Sequence, residues 1–281
     1  MHCDWYAATI PDNVENVIGF LQNNLGGELK RLKSGLNGYS SRWVIDDEYG
    51  NANATILAGG NNNANPHAFA SSDKAIYFRE LVRDVWPEHS VTRIDVAEDM
   101  YSDGLFEDFT ERLLGHAKQN RVKVSTVGDW LTEGSPDGRT LYLGSPASAA
   151  SIRLYEKGKQ LAYQMFIKNN WAVPEGFPLN MVRLELQVRP QKQQKTKAAG
   201  EDLANFWGYA KWTSCVADDL LSVDVPRVEV NAWKQSDDDR AMMWLARQYG
   251  NVLSRRLEHL GSWCAVGQEI GDYVSKILNR R

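Results

Sequence analysis

Three segments of this chain alternate apolar and charged residues with a period of two, and that pattern constrains the fold more than any other feature. In VTRIDVAED, Ile94 and Val96 fall on one side and Arg93 and Asp95 on the other. In SIRLYEKGK, Ile152 and Leu154 oppose Arg153, Tyr155 and Lys157. In MVRLELQVR, Val182, Leu184, Leu186 and Val188 oppose Arg183, Glu185, Gln187 and Arg189. Successive side chains of a strand point to opposite faces. Each segment therefore predicts a strand with one apolar face for a core and one face of Arg, Tyr, Lys and carboxylate. RTLYLGS repeats the theme, with Leu141 and Leu143 opposite Tyr142.

Around these strands the chain predicts an α+β fold. CDWYAATI reads as a strand, and Pro11 and Asp12 open a helix with Val14, Val17, Ile18 and Leu21 on one side. Gly26 and Gly27 stop it. GYSSRWVID and NANATILAG read as strands joined by a turn over 46–50, GGNNNANP as a polar loop, and SSDKAIYFRELVRDVW as a helix capped by Ser71 or Ser72. The order suits a split βαβ, ferredoxin-like half. From HSVTRIDVAED onward a second half follows: an amphipathic helix (DGLFEDFTERLLGHAKQ), three strands, a short helical piece (QLAYQMFIKNNW) and a last strand. The expectation is an antiparallel sheet built from two ferredoxin-like or RRM-like halves, roughly 1–97 and 92–190, within a domain over 1–198. QKQQKTKAAG then reads as a basic hinge into a helical C-terminal subdomain over 199–281, where Asp237–Asp239 favour a helix N-terminus.

The net charge of −4 argues against a general DNA binder, but the charge is uneven. Residues 1–138 carry 12 Lys and Arg against 21 Asp and Glu, whereas residues 139–200 carry 10 against 3. A basic block inside an acidic chain is an electrostatic footprint for phosphate; a solvated charged face is the plainer explanation. Cys3, Cys215 and Cys264 are far apart and odd in number, which argues against a disulfide framework or a clustered zinc site and suits a reducing cytoplasm. The opening MHCDWYAATIPDN is too short and acidic for a signal peptide. No apolar run approaches the roughly 20 residues that span a bilayer, so a cytoplasmic protein with no membrane partner is expected.

If the polar strand faces converge, a tyrosine stands among cations and carboxylates. Tyrosine can attack phosphorus covalently. Asp and Glu suit a hard divalent ion such as Mg2+ or Mn2+, and Arg and Lys hold a phosphate. The competing explanation is a solvated sheet face with cross-strand ion pairs and an amphipathic tyrosine.

In order along the chain, CDWYAATI, the Arg-x-Asp-hydrophobic-Ala-x-Asp of HSVTRIDVAED, the Gly-Ser and Arg-hydrophobic-Tyr-acidic-Lys of TLYLGSPASAASIRLYEKGKQ, and the Arg-hydrophobic-Glu of VRLELQVR resemble the Rep_trans type of replication initiation factor, found in rolling-circle plasmids and filamentous phages and including some relaxases. The resemblance covers roughly residues 3–190. It implies an enzyme that recognises a double-stranded origin and cleaves one strand as single-stranded DNA. Its tyrosine becomes linked to the 5′ phosphate, and the freed 3′ hydroxyl primes synthesis. It places the nucleophile on Tyr155, with Arg153 and Lys157 beside it and Tyr142 and Tyr163 as alternatives. It places a divalent metal ion, Mg2+ or Mn2+, on Asp95, Glu185 and Asp99, with Glu98 as an alternative to Asp99. It assigns DNA contacts to Arg93, Arg183, Arg189, Lys159, Lys192, Lys195 and Lys197. It leaves room for a host helicase and polymerase and for a homodimer in a bacterial host.

The His-hydrophobic-His metal motif of other nicking enzymes is absent, and His2, His67, His89, His116 and His259 are isolated. His67 reads as a loop histidine. Gln187 stands where another acid would strengthen a metal site. Among ten tryptophans, Trp130 and Trp171 flank the basic block and are candidates for base stacking; Trp207, Trp212, Trp233, Trp244 and Trp263 read mostly as the core of the tail. A DNA-binding regulator without catalysis, a nuclease that uses water, and an α+β domain binding RNA or protein are the competing functions. No P-loop and no Ser/His/Asp arrangement occurs.

Overall fold

A one-residue slip of a strand turns its apolar residues to the wrong face, so alternation in several strands specifies their register together. In the protein, seen in a computed structural model describing residues 1–60, 65–132, 135, 137–169, 172–226 and 237–278, that register is kept across a ten-stranded antiparallel sheet among the described residues. The chain runs β1 (His2–Thr9), α1 (Val14–Leu25), β2 (Glu28–Leu32), β3 (Ser41–Asp46), β4 (Ala52–Ala58), β5 (His67–Ser71), α2 (Asp73–Val85) and β6 (Ser90–Tyr101). It continues with α3 (Leu105–Asn120), β7 (Val124–Val127), β8 (Thr140–Leu143), β9 (Ala150–Tyr155), α4 (Lys157–Asn169) and β10 (Met181–Val188). A short α5 (Gln194–Lys197), two 3-10 segments (Ala198–Gly200 and Leu203–Tyr209), α6 (Lys211–Leu221), α7 (Asp237–Leu260) and α8 (Trp263–Leu278) complete it.

The strand order is β2-β3-β4-β5-β1-β6-β10-β9-β8-β7. Within it, β6-β1-β5-β4 with α1 and α2 is the split βαβ arrangement, extended at its edge by β2 and β3. The second half reuses β6 as its first strand, but β10 lies between β6 and β9. A strand has only two edges. Since β1 already occupies one edge of β6, β10 takes the other, and β9 pairs onto β10 instead.

The apolar faces meet in one core. Tyr6, Ile94, Val96, Leu184, Leu186, Ile152, Leu154, Leu141 and Leu143 pack against Val17 and Leu21 of α1, Phe78 and Val82 of α2, and Phe106, Phe109 and Leu113 of α3. Burying each large side chain contributes about 1.5–3 kcal/mol. Asn13 caps α1 by accepting the Asn16 N–H at 2.8 Å, and Gly26 ends it with its N–H on Gln22 O at φ 67, a left-handed turn that glycine adopts without a steric penalty.

Sequence reading missed β2 and β5. β5 is five residues, HAFAS, and follows the polar run directly. His67 is therefore a strand residue, paired with Thr9, not a loop one. Lys157 leaves the strand: β9 ends at Tyr155, and Lys157 is the first residue of α4.

The first compact unit ends at Glu229, beyond the expected boundary at 198/199. The reason is apolar: Phe206, Trp207, Val216, Ala217 and Leu220 join the sheet's core, Thr213 Oγ1 donates to Trp207 O at 2.6 Å, and Arg112 of α3 donates to Asp219 Oδ1 at 2.7 Å. The second unit, Val230–Arg281, contains α7 and α8, which are bridged by Arg256 and Glu269. No described helix is long and apolar enough to cross a membrane.

Candidate active site

The polar faces of β6, β10, β9 and β8 lie side by side. Across them, Glu185 sits opposite Ala97 and Arg153, Arg183 opposite Asp99 and Tyr155, and Tyr142 opposite Arg153. Two arginine-centred clusters result. In the first, Arg153 donates to Glu185 and lies 3.8 Å from Asp95. Arg93 also grips Asp95, its Nε donating to Oδ1 at 2.9 Å. Asp95 and Glu185 are 1% and 0% exposed, so their charges stand in a low dielectric and depend on these guanidinium groups. Burial pushes the Glu185 carboxyl well above the usual carboxylate range; Arg153 opposes that and Asp95 adds to it.

In the second cluster, Arg183 makes a bidentate contact with Asp99, at 2.5 Å from Nε and 2.7 Å from its second nitrogen, and donates to Asp4 Oδ1 at 2.7 Å. Asp4 arrives by a backbone irregularity. The pairing of β1 with β6 jumps from Cys3↔Val96 to Trp5↔Asp95, leaving Asp4 as an extra, bulged residue. A bulge re-aims side chains. Cys3 and Tyr6 remain in the core, while Asp4 and Trp5 both reach the polar face.

Tyr155 lies between the clusters. Its hydroxyl donates to Glu185 Oε2 at 3.4 Å, and the Lys157 ammonium is 5.7 Å from its ring. Burial, then the neighbouring Glu185, raises the phenol's pKa; Arg183 and Arg153 work against them. Burial and the adjacent Arg183 lower the Lys157 ammonium's. Gly158 allows this close packing at the start of α4, since a Cβ there would lie 2.2 Å from Pro178 O. Tyr155 and Lys157 line a cleft of about 590 Å³ with His2, Asp4, Tyr142, Arg153, Gln164 and Arg183.

Residues 89–211 match the family of replication initiation factors (Rep_trans). The matched segment begins one residue before β6 and includes β8, β9 and β10, with Asp95, Arg153, Tyr155, Lys157, Arg183 and Glu185. His2 and Asp4 enter the same cleft from outside it. The chain is also similar to the rolling circle replication initiator protein from Geobacillus stearothermophilus, at 20% identity over 84% of this chain and 89% of that one, with a TM-score of 0.48. No curated protein matches.

The expected metal ligands are brought together only in part. Asp95 and Glu185 share Arg153, whereas Asp99 belongs to the Arg183 cluster, and Glu98 pairs with the N-terminal amine. Guanidinium groups stand where a divalent ion would need carboxylate oxygens, and the described residues hold no group of three such ligands. This arrangement does not fit an ion. Gln187, on the polar face, approaches Ser151 Oγ at 3.5 Å.

The expected DNA contacts divide as well. Lys159 is held by Glu156 at 3.0 Å and by Ser135 O at 2.8 Å, so its charge is already matched. Arg189 is tied to Pro146 O at 3.0 Å. Lys192 lies just before α5 and Lys195 within it, and Lys197 is 3.8 Å from Glu201. Trp130 packs under Arg139 and against Phe106 rather than lying open. Trp171, Trp233 and the Trp244 side chain lie outside the described residues. Trp207 is fully buried, whereas Trp263 is 59% exposed.

Two features escaped sequence reading. Asp4 was hidden by the bulge, because strict alternation in CDWYAATI does not send Asp4 and Trp5 to one side. The Arg139–Glu156 pair links the start of β8 to the end of β9, with Arg139 Nε donating to Glu156 Oε2 at 3.0 Å; two oppositely charged residues 17 apart carry no local signal.

Proposed function

We propose that this chain is a rolling-circle replication initiator that nicks one strand of its origin by transesterification. The Tyr155 oxygen attacks the scissile phosphorus, the bond to the 3′ oxygen breaks, and a 5′-phosphotyrosine link forms. The phenol proton passes to Glu185, the carboxylate its hydroxyl meets, and the departing 3′ oxygen takes a proton from water to become the primer hydroxyl. The observation that carries this reading is Tyr155 at the floor of a cleft whose Arg153, Lys157 and Arg183 can meet phosphate charge, inside the segment that matches replication initiation factors.

A phenol is protonated at neutral pH, and burial raises its pKa further, so attack needs both an acceptor and cations that stabilise developing negative charge. Glu185 and Lys157 stand in those places. Mg2+ or Mn2+ comes to the reading through the resemblance; with Arg153 and Arg183 occupying the carboxylates, no step is routed through an ion. The partner is origin DNA, recognised double-stranded and cut single-stranded, and the 3′ end would pass to a host helicase and polymerase in bacterial cytoplasm.

The test is a supercoiled plasmid carrying the protein's own gene region, with and without Mg2+ or Mn2+, read for open circles and for protein covalently held on a denaturing gel. Wild type should form an adduct that Tyr155→Phe loses. Nicking without an adduct would replace the reading with a nuclease that uses water, and binding without nicking would replace it with a regulator.

A further inference from the structure

Tyr155 borders two clefts. The second, of about 480 Å³, is lined by Val127, Tyr163 and the balanced charges of Asp137, Arg139, Glu156 and Lys159, and it shares Thr140, Tyr155 and Gln160 with the first. The two clefts therefore meet at the tyrosine. On α4, Tyr163 of the second cleft is 59% exposed, and Phe166, about one turn further along the helix, is 61% exposed. At a spacing of three residues they are neighbours on one helix surface. Val127, 60% exposed, adds apolar surface at the cleft's rim. Large rings left in water beside a polar cleft call for an occupant.

We infer that Tyr163 and Phe166 form a stacking platform for unpaired bases of single-stranded DNA on one side of the scissile phosphate. The inference rests on the nicking function proposed above and adds the place where the strand is held. Two observations favour nucleic acid over a protein or a second copy. Tyr163 lines a cleft that also contains Tyr155. The platform lies within the block 139–200, which carries 10 Lys and Arg against 3 Asp and Glu. A phosphodiester under attack has nucleotides on both sides, so a strand reaching Tyr155 through one cleft must leave by another. Aromatic faces accept any base, which suits holding a strand without reading it.

The test is fluorescence anisotropy of a labelled oligothymidylate of about 20 nucleotides with the full chain in metal-free buffer. A base stack is worth about 1–3 kcal/mol, so Tyr163→Ala and Phe166→Ala should each weaken binding roughly 5- to 100-fold. Tyr163→Phe should keep affinity within about two-fold of wild type, because the ring remains. Tyr49→Ala, at a ring 81% exposed in the β3–β4 turn, should change nothing. Thermal midpoints should stay at the wild-type value, since both platform rings are exposed. The inference fails if both alanine variants bind like wild type, or if Tyr163→Phe binds as poorly as Tyr163→Ala. It fails also if the alanine variants change the oligomeric state by light scattering, which would make the platform a contact between copies. Loss of the covalent adduct in Tyr163→Phe with binding intact would make Tyr163 the nucleophile and overturn both readings. The oligonucleotide needs no cleavage, so a failure of the nicking function appears only in the plasmid assay.

Discussion

Strands β5 and β1 and strands β10 and β9 belong to one sheet and contribute to the same polar face, yet they satisfy it in opposite ways. On the β5–β1 side, Tyr39 stacks on His67, Phe69 stacks on Trp5 with ring centroids 5.0 Å apart, and Arg93 closes the row 4.4 Å from the Trp5 ring. On the β10–β9 side, the face is ionic, with Asp95, Arg153, Glu185, Arg183 and Asp99 in contact and a tyrosine between them. The aromatic side consumes its own surfaces by stacking. The ionic side presents charges that can be exchanged for those of a phosphate. Trp5 and Arg93 form the seam, one belonging to each chemistry.

The comparison can be broken first at Arg183. Replacing it with Met strands Asp4 and Asp99, each about one-fifth exposed. Removing one partner of a buried ion pair typically costs 3–5 kcal/mol. With partial exposure, a loss of about 2–4 kcal/mol in urea unfolding is expected; a change below about 1 kcal/mol would show that this side is not held by its charges.

The aromatic side should respond to pH. Burial, helped by the positive charge of Lys195, lowers the His67 pKa from 6.5 to about 4. The unfolded chain therefore binds this proton more readily than the folded one. Stability from His67 is complete above pH 6.5, is lost as pH falls toward 4, and levels off below. The loss should be roughly 3 kcal/mol, measured as the urea midpoint against pH, and His67→Phe should remove that component. An identical slope in the variant would assign the dependence elsewhere.

At the seam, Trp5→Leu removes the Phe69 stack and the Arg93 contact. A cost of about 1–2 kcal/mol is expected. A double-mutant cycle of Trp5→Leu with Phe69→Leu should show coupling, and additive effects would mean the row is not a unit. The smallest effects concern exposed cations. Lys195→Ala should lower the salt slope of oligonucleotide binding by about 1, whereas Lys159→Ala, whose charge is matched by Glu156, should leave it unchanged. Equal slopes for the two variants would remove the distinction.

Much of the ionic side was legible in the residues. Arg93, Asp95, Arg153, Tyr155, Arg183 and Glu185 could be placed on one face because apolar partners alternate with them and a strand has only two faces. Lys157 belonged to the right place by the wrong element, since a helix starting after Glu156 also brings it beside Tyr155. The aromatic row was not legible: HAFAS is too short for a periodic signal, and the polar run before it reads as loop. The grouping of Asp95, Glu185 and Asp99 for a metal came from the resemblance, and spacing along two strands does not tell which arginine each carboxylate will meet.

By itself, the sequence determined which residues face the core and which face the site, because period-two alternation is a local property that survives in any sheet these strands could join. Only the tertiary structure decided that β10 would lie between β6 and β9, that Asp4 would be turned onto the site by a bulge, and that each carboxylate would meet a particular guanidinium. Those outcomes depend on strand neighbours distant along the chain. They arise from competition for the two edges of β6 and from pairing charges that cannot be buried alone.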